Sequence, residues 1–479
     1  MKKFFTFGTL VLCLTGVLSA TDLNFSSLSN QATYGLFLNE LDAAASPYES
    51  SQGPGFSDLK NDYLFGGVVA NIEGLNDNST SNTFVTGYYS AGNSPWSLFA
   101  YVDFANADPT VGTEETVVYS SATEKITTSY EIPAYNEIES DIQFLMNFGN
   151  INTGLAIELL TDDNRLFSAN YSQVSDIAGS AFDNTYEDKN GSTLDYTLRA
   201  PFFMESGEKK HSAQLFYKRS REDNSTLSDE KDNTASTYSK TELEDKDITS
   251  TFGAWYELTM PLGRGEIRPY ILAQKNGKKH DTTTTVDNNG TVTKTEVTRD
   301  YEGGFSFAIG SSYYMELNPA GDWLKFRIKP AAEYSRDSEP YETDRETKNT
   351  AAGATTTTKR QGAVDKNISS KITVQLDSAM EIRPENWLLG FQMGSRILAA
   401  REKEITETEN PDVVDAAGVV IEDNDSSNTV DFIDWTSTVN MRYGFFVPLP
   451  DDYRMDFTLN ANNLFEFENV SVQLIVPLN

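Results

Sequence analysis

From about Leu64 onward, apolar and polar side chains alternate in period two. Tyr453, Met455, Phe457 and Leu459 fall on one face of a strand; Arg454, Asp456 and Thr458 fall on the other. Successive strand side chains point to opposite sides, so each such segment has one apolar and one polar face. The pattern is longer at 433–447, where Ile433, Trp435, Val439, Met441, Tyr443, Phe445 and Val447 alternate with Asp434, Thr436, Thr438, Asn440 and Arg442. Segment 371–383 sets Ile372, Val374, Leu376, Met380 and Ile382 against Lys371, Thr373, Gln375, Asp377, Glu381 and Arg383. Segment 323–334 sets Leu324, Phe326, Ile328 and Tyr334 against Lys325, Arg327, Lys329 and Glu333. Segment 305–317 sets Phe305, Phe307, Ile309, Tyr313, Met315 and Leu317 against Ser306, Ala308, Gly310, Ser312 and Glu316.

A soluble sandwich also alternates, so the connections matter. Short ones, such as Gly149-Asn150, Gly263-Arg264-Gly265, Asn318-Pro319-Ala320-Gly321, Pro384-Glu385-Asn386 and Pro450-Asp451-Asp452, carry the Gly and Pro that reverse a chain tightly. Long polar ones fall near 106–138, 164–191, 222–249, 278–302, 337–368 and 402–430. The count is about 16 strands (roughly 14–18), each of at least the 9–11 residues that a tilted strand needs to cross a bilayer. Short turns at one end and long loops at the other are the habit of transmembrane barrels. The expected fold is therefore all-β: a transmembrane, antiparallel, up-and-down β-barrel with short periplasmic turns and long extracellular loops. Within it, Asp287-Asn288-Asn289-Gly290 reads as a protruding hairpin, because Asn-Gly is the strongest short-range turn pair.

In this architecture the chain resembles a Gram-negative outer-membrane β-barrel of porin-like size. The resemblance rests on strand pattern and connections, and no motif singles out one porin family. It implies a terminal aromatic residue for the barrel-insertion machinery. Here Val470, Val472, Leu474, Val476 and Leu478 suit a closing strand, but Asn479 stands last. The resemblance also implies that barrels of this size are often trimeric, so a homo-oligomer is one expectation.

The N-terminal residues read differently. Lys2 and Lys3, an apolar run from Phe4 to Leu18, and Ser19-Ala20 have the order of a secretory signal peptide, giving residues 1–20 as the signal. Residues 21–62 are read as an N-terminal arm, a plug or an extra strand, and 63–479 as the barrel. Removing the signal takes Cys13, the only cysteine, so no disulfide is expected. The expected location is the bacterial outer membrane.

Aromatic residues give a second height marker. Trp96, Trp387 and Tyr453 each begin a strand just after a short turn and share parity with apolar neighbours, so they are assigned to the membrane interface. Trp323 occupies the same offset with the opposite parity. On the other face, Lys325, Arg327, Lys329, Lys371, Asp377, Glu381, Arg383, Arg396, Asp434, Arg442, Arg454 and Asp456 are assigned to the pore lining. A barrel of this size holds a water-filled lumen, where such charges are solvated and can orient polar solutes. The stripe Gly304, Ser306, Ala308, Gly310 and Ser312 leaves room either for an inward-folded loop or for a close strand contact.

Composition narrows the functions. The 479 residues hold 38 Lys and Arg against 71 Asp and Glu, a net charge of -33, which argues against a nucleic-acid partner. A mean hydropathy of -0.44 excludes a multi-helix membrane protein. The two histidines, His211 beside a turn and His280 in a loop, lie near no nucleophile motif, and HExxH, GxSxG and CxxC are absent. No enzyme activity, cofactor or metal is expected. The primary expectation is a porin-like channel for passive diffusion of ions and small polar solutes, with outer-membrane lipid and the barrel-insertion machinery as further partners. A plugged transporter of hydrophobic substrates such as fatty acids, and a surface adhesin or structural barrel, are the alternatives.

Overall fold

A computed structural model of the chain describes residues 63–71, 81–90, 96–107, 110–119, 123–132, 135–162, 171–177, 183–232, 237–319, 323–364, 366–383, 387–409, 412–415, 419–422, 427–448, 454–461 and 467–477. The expected signal peptide and the 21–62 segment lie outside the described residues, as does Tyr453.

The described chain is a single 23-stranded sheet with antiparallel pairing throughout. In chain order the first strands are β1 (Tyr63–Asn71), β2 (Ser81–Ser90), β3 (Trp96–Ala107), β4 (Thr110–Tyr119), β5 (Thr123–Ile132), β6 (Tyr135–Asn147), β7 (Ile151–Asp162) and β8 (Tyr171–Ile177). Five long strands follow: β9 (Asp183–Ser206), β10 (Lys209–Asp232), β11 (Thr237–Leu262), β12 (Gly265–Asn288) and β13 (Thr291–Leu317). The remainder are β14 (Leu324–Ser338), β15 (Tyr341–Ala351), β16 (Ala354–Val364), β17 (Lys366–Ile382), β18 (Gly390–Glu409), β19 (Asp412–Asp415), β20 (Val420–Glu422), β21 (Ser427–Pro448), β22 (Arg454–Ala461) and β23 (Phe467–Pro477). The first strand also pairs with the last, with Tyr63 opposite Pro477 and Asn71 opposite Asn469.

The long polar segments are the main departure from expectation. Most of 222–249 and 278–302 is not loop but continuous ladder. β10 pairs with β11 from Lys210↔Thr259 to Asp232↔Thr237, and β12 pairs with β13 out to Asn288↔Thr291. Residues 337–368 fold mainly into β15 and β16, which add to the upper part of β13. The reason is backbone demand: Thr-rich chain favours the pleated conformation, and each N–H and C=O finds its partner on the returning strand. Strands β9 to β13, of 24 to 27 residues, run about 80–90 Å at about 3.4 Å per residue.

The tip of β12–β13 is the two-residue turn read from the sequence. Asn289 and Gly290 have φ of 50° and 84°, and the Gly290 N–H donates to Asp287 Oδ1 at 2.8 Å. Positive φ at both centres matches the right-handed twist of the flanking strands. His280 lies on β12 rather than in a loop, with Nδ1 2.7 Å from Asp247 Oδ1.

The sidedness of the sheet is inverted relative to a water-soluble protein. The buried apolar side chains among the described residues are four alanines, Val414 and Phe446. The buried polar ones include Glu257, Arg268, Arg327, Lys329 and Asp377. Meanwhile Leu155, Leu215, Phe252, Phe305, Ile309, Ile372, Val374, Phe391, Met393 and Ile397 stand exposed on the opposite face.

Candidate functional site

The densest charge on the polar face lies near the short turns, across β11, β12, β13, β14, β17 and β18. Alternation places each side chain there. Glu257 and Thr259 are buried while Tyr256 is exposed, and Arg327 and Lys329 are buried while Pro330 is exposed. Asp377 is 0 % exposed, Glu257 2 % and Lys329 4 %, so charges here require partners within the protein.

Register supplies them. Asp377 on β17 stands between Lys329 on β14 and Arg396 on β18, an alternation of charge across three strands. Its carboxylate accepts from Arg396 Nε at 2.9 Å and Nη2 at 3.2 Å, and from Gln375 Nε2 at 2.7 Å. On β13, Glu316 faces Arg327 in register and accepts its Nε–H at 2.9 Å. Arg268 donates to Glu266 at 2.9 Å, and its guanidinium lies 5.2 Å from the Tyr314 ring centroid. Further round the same face Arg199 pairs with Glu158.

Glycines let aromatic rings lie flat along this wall. Tyr270 on β12 lies over Gly310 on β13 and donates its hydroxyl to Glu333 on β14, reaching past one strand to the next. A Cβ on Gly310 would meet the Tyr270 ring at 2.5 Å. The same arrangement recurs at Gly253 under Phe216 and at Gly390 under Phe446, each pair directly opposed across the ladder. At Gly310, therefore, the small-residue stripe accommodates a neighbouring strand's ring.

The expected lining residues divide into groups. Arg327, Lys329, Asp377 and Arg396 join the network. Lys325 and Glu381 are half-buried and directly opposed, on β14 and β17. Lys371 lies higher, with Nζ 3.4 Å from Glu402. Arg383 is exposed, its guanidinium 5.9 Å from the Phe446 ring centroid. Asp434 is exposed and accepts the Trp435 N–H at 2.8 Å, outside the network. Arg442, Arg454 and Asp456 sit on β21 and β22, and their side chains lie outside the described residues. Of the aromatics expected at the membrane interface, Trp96 stacks on Phe144 at 6.2 Å and Trp387 meets Phe391 edge-on at 6.4 Å.

One expectation is corrected. Arg327, Lys329 and Asp377 are enclosed rather than solvated, because neighbouring strands bring countercharges against them. Sequence reading had not assigned Arg268 and Tyr270 to this face. The signal was the alternation of Glu266, Arg268 and Tyr270 with Ile267, Pro269 and Ile271.

No protein-family model matches the chain, and no curated protein matches it in sequence. Among solved structures it is similar to the toluene transporter TodX of Pseudomonas putida, at 10% identity, covering 96% of this chain and 97% of that one with a TM-score of 0.38. It is also similar to the ferric preacinetobactin receptor BauA of Acinetobacter baumannii (8% identity, 87% and 80% covered, TM-score 0.30) and to the transport unit of the autotransporter AIDA-I of Escherichia coli (10% identity, 61% and 84% covered, TM-score 0.23). In architecture the chain resembles outer-membrane β-barrel proteins.

Proposed function

We propose that this chain is a closed outer-membrane barrel that conducts ions and small polar solutes by passive diffusion. The observation that carries the reading is the inverted sidedness: charged side chains enclosed on one face, large apolar side chains exposed on the other. In water that exposed apolar face would drive aggregation. In a bilayer it meets acyl chains, and only a closed sheet leaves no unpaired edge in hydrocarbon.

The pairings support closure. They run β1, β2, β3, β6, β7, β9, β10, β11, β12, β13, β14, β17, β18, β21, β22, β23 and back to β1, an order that supports reading the wall as a ring of sixteen strands. The other strands extend the sheet beyond the membrane. The short turns then face the periplasm, and the long hairpins stand outside. On this reading the enclosed network around Asp377 stiffens the wall near the periplasmic mouth, and the half-buried Lys325 and Glu381 beside it offer charge of both signs to hydrated solutes.

Conductance across a planar bilayer tests this. Stepwise currents from the purified, folded protein are expected; silence at every voltage would remove the channel reading.

A further inference from the structure

On four strands the apolar run that rises from the short turns is interrupted by positive charge. On β10 the apolar outward position Tyr217 is followed at the next outward position by Arg219; on β12, Ala273 by Lys275. On β14, Tyr334 is followed by Arg336, and on β18, Ala399 by Arg401. Between the short turns and these positions the apolar face of those four strands carries no acid. Lys275, Arg336 and Arg401 are exposed. The chain as a whole has a net charge of -33, so a basic, acid-free boundary on these four strands runs against its composition.

The height fits a membrane boundary. From Phe391 to Arg401 the chain climbs about 25 Å, at about 3.3 Å per residue and a tilt of about 40°, which matches the apolar band of an outer-membrane barrel. Arg401 also lies 5.6 Å from the ring centroid of the exposed Trp435, a pairing of cation and indole suited to an interface. Acids appear beyond this line, and they neutralise the second tier of bases: Arg221 pairs with Asp223 at 2.6 Å, Lys279 with Asp281 at 3.1 Å and Lys403 with Asp431 at 3.2 Å. Arg219, Lys275 and Arg336 make no ion pair with another described residue.

We infer that Arg219, Lys275, Arg336 and Arg401 form an outward belt that docks phosphate-bearing lipid headgroups of the outer leaflet. The inference rests on the barrel reading and gives its expected lipid partner a headgroup chemistry and a set of residues. Phosphate is the complementary group: it lies at the headgroup level, carries the opposite charge and accepts several hydrogen bonds at once from a guanidinium. Long basic side chains keep their stems along the apolar face while their heads reach it.

The test uses the full chain inserted into phosphatidylcholine vesicles doped with either diphosphoryl lipid A or its dephosphorylated form. Flotation and heat-modifiable migration score insertion. The vesicles are then dissolved in mild nonionic detergent, and co-purifying lipid A is measured. The folded wild type is expected to retain the diphosphoryl lipid at least several-fold over the dephosphorylated one. The variant Lys275→Gln/Arg336→Gln/Arg401→Gln should insert equally and lose that preference, while Arg336→Lys/Arg401→Lys should keep most of it. Equal retention of both lipids by inserted wild type, or a preference untouched by the triple Gln variant, would overturn the belt and leave the barrel standing. Should the Gln variant fail to insert, the wild type's choice between the two lipids and the effect of the Lys variant decide. Failure of the wild type to float would overturn both.

Discussion

Arg396 grips Asp377 with two parallel hydrogen bonds, at 2.9 and 3.2 Å, across a pair of strands joined by a short turn. Asp377 is fully enclosed, and Lys329 stands on its other flank. Removing one member of such a set leaves charge without compensation, at about 3–5 kcal/mol. Asp377→Asn is therefore expected to lower the unfolding free energy of the lipid-folded protein, read from urea titration, by about that amount. Asp377→Leu with Arg396→Met should cost less than the sum of the single changes. Additive losses in that double-mutant cycle would show that the two side chains do not act as a pair.

Charge on the wall should also set ion preference. Lys325→Glu with Arg327→Glu places two negative charges on the polar face and sets the second against Glu316. The reversal potential in a salt gradient is expected to move toward cation selectivity. An unchanged potential would mean that this stretch does not line the narrowest part of the path.

Tyr270 depends on the absence of a side chain at Gly310. Gly310→Val should push the ring off its neighbour, break its contact with Glu333 and cost about 1–3 kcal/mol through overpacking. Single-channel conductance should change with it. Tyr270→Phe keeps the ring and loses only the hydroxyl, so its conductance should stay nearer the wild type. If both variants conduct alike, the ring's position is not what shapes the path.

The hairpin of β15 and β16 should loosen in acid. The Lys348 and Lys359 ammonium groups donate to Glu346 at 2.8 and 3.0 Å and hold its carboxyl below the usual glutamate range. Lys294, at 2.5 Å, does the same for Glu296 on β13. A lowered folded-state value means that the stabilisation is present above the unfolded value and is lost as pH falls through the folded one. Amide protection factors at the β15–β16 tip, with the intrinsic pH dependence of exchange divided out, should therefore fall on acidification. Glu346→Gln should flatten that dependence; a profile identical to wild type would exclude these pairs as its cause.

Topology can be read directly on cells. An epitope inserted between Asn289 and Gly290 should bind antibody on intact cells. One placed beside Arg264, at the opposite end of β12, should bind only after the outer membrane is opened. The reverse result would invert the orientation proposed here.

The faces of the wall strands were legible because alternation is a local signal: Lys371 to Arg383 displays it without reference to any partner. The tight turn at Asn289-Gly290 was legible for the same reason, since its backbone angles need particular residues. The long strands were not. From Lys278 to Thr285 both faces are polar, so period two leaves no trace, and only the returning strand shows that the segment is extended. The enclosure of Asp377 was hidden too, because its partners come from three different strands and lateral register cannot be seen in one segment.

The long ladders of β10, β11 and β12 also limit how the gene can vary in length. A single codon lost between Ile267 and Ala273 would turn the rest of the strand over and send its oily residues into the aqueous side, whereas two lost together would keep each residue's sense. Odd steps are absorbed where the ladder already skips, between Asn276 and Lys278 or between Asp300 and Tyr301, and at the hairpin tips. Viable insertions and deletions inside the wall should therefore come in pairs, a parity rule that a deep library of single- and double-codon deletions would display.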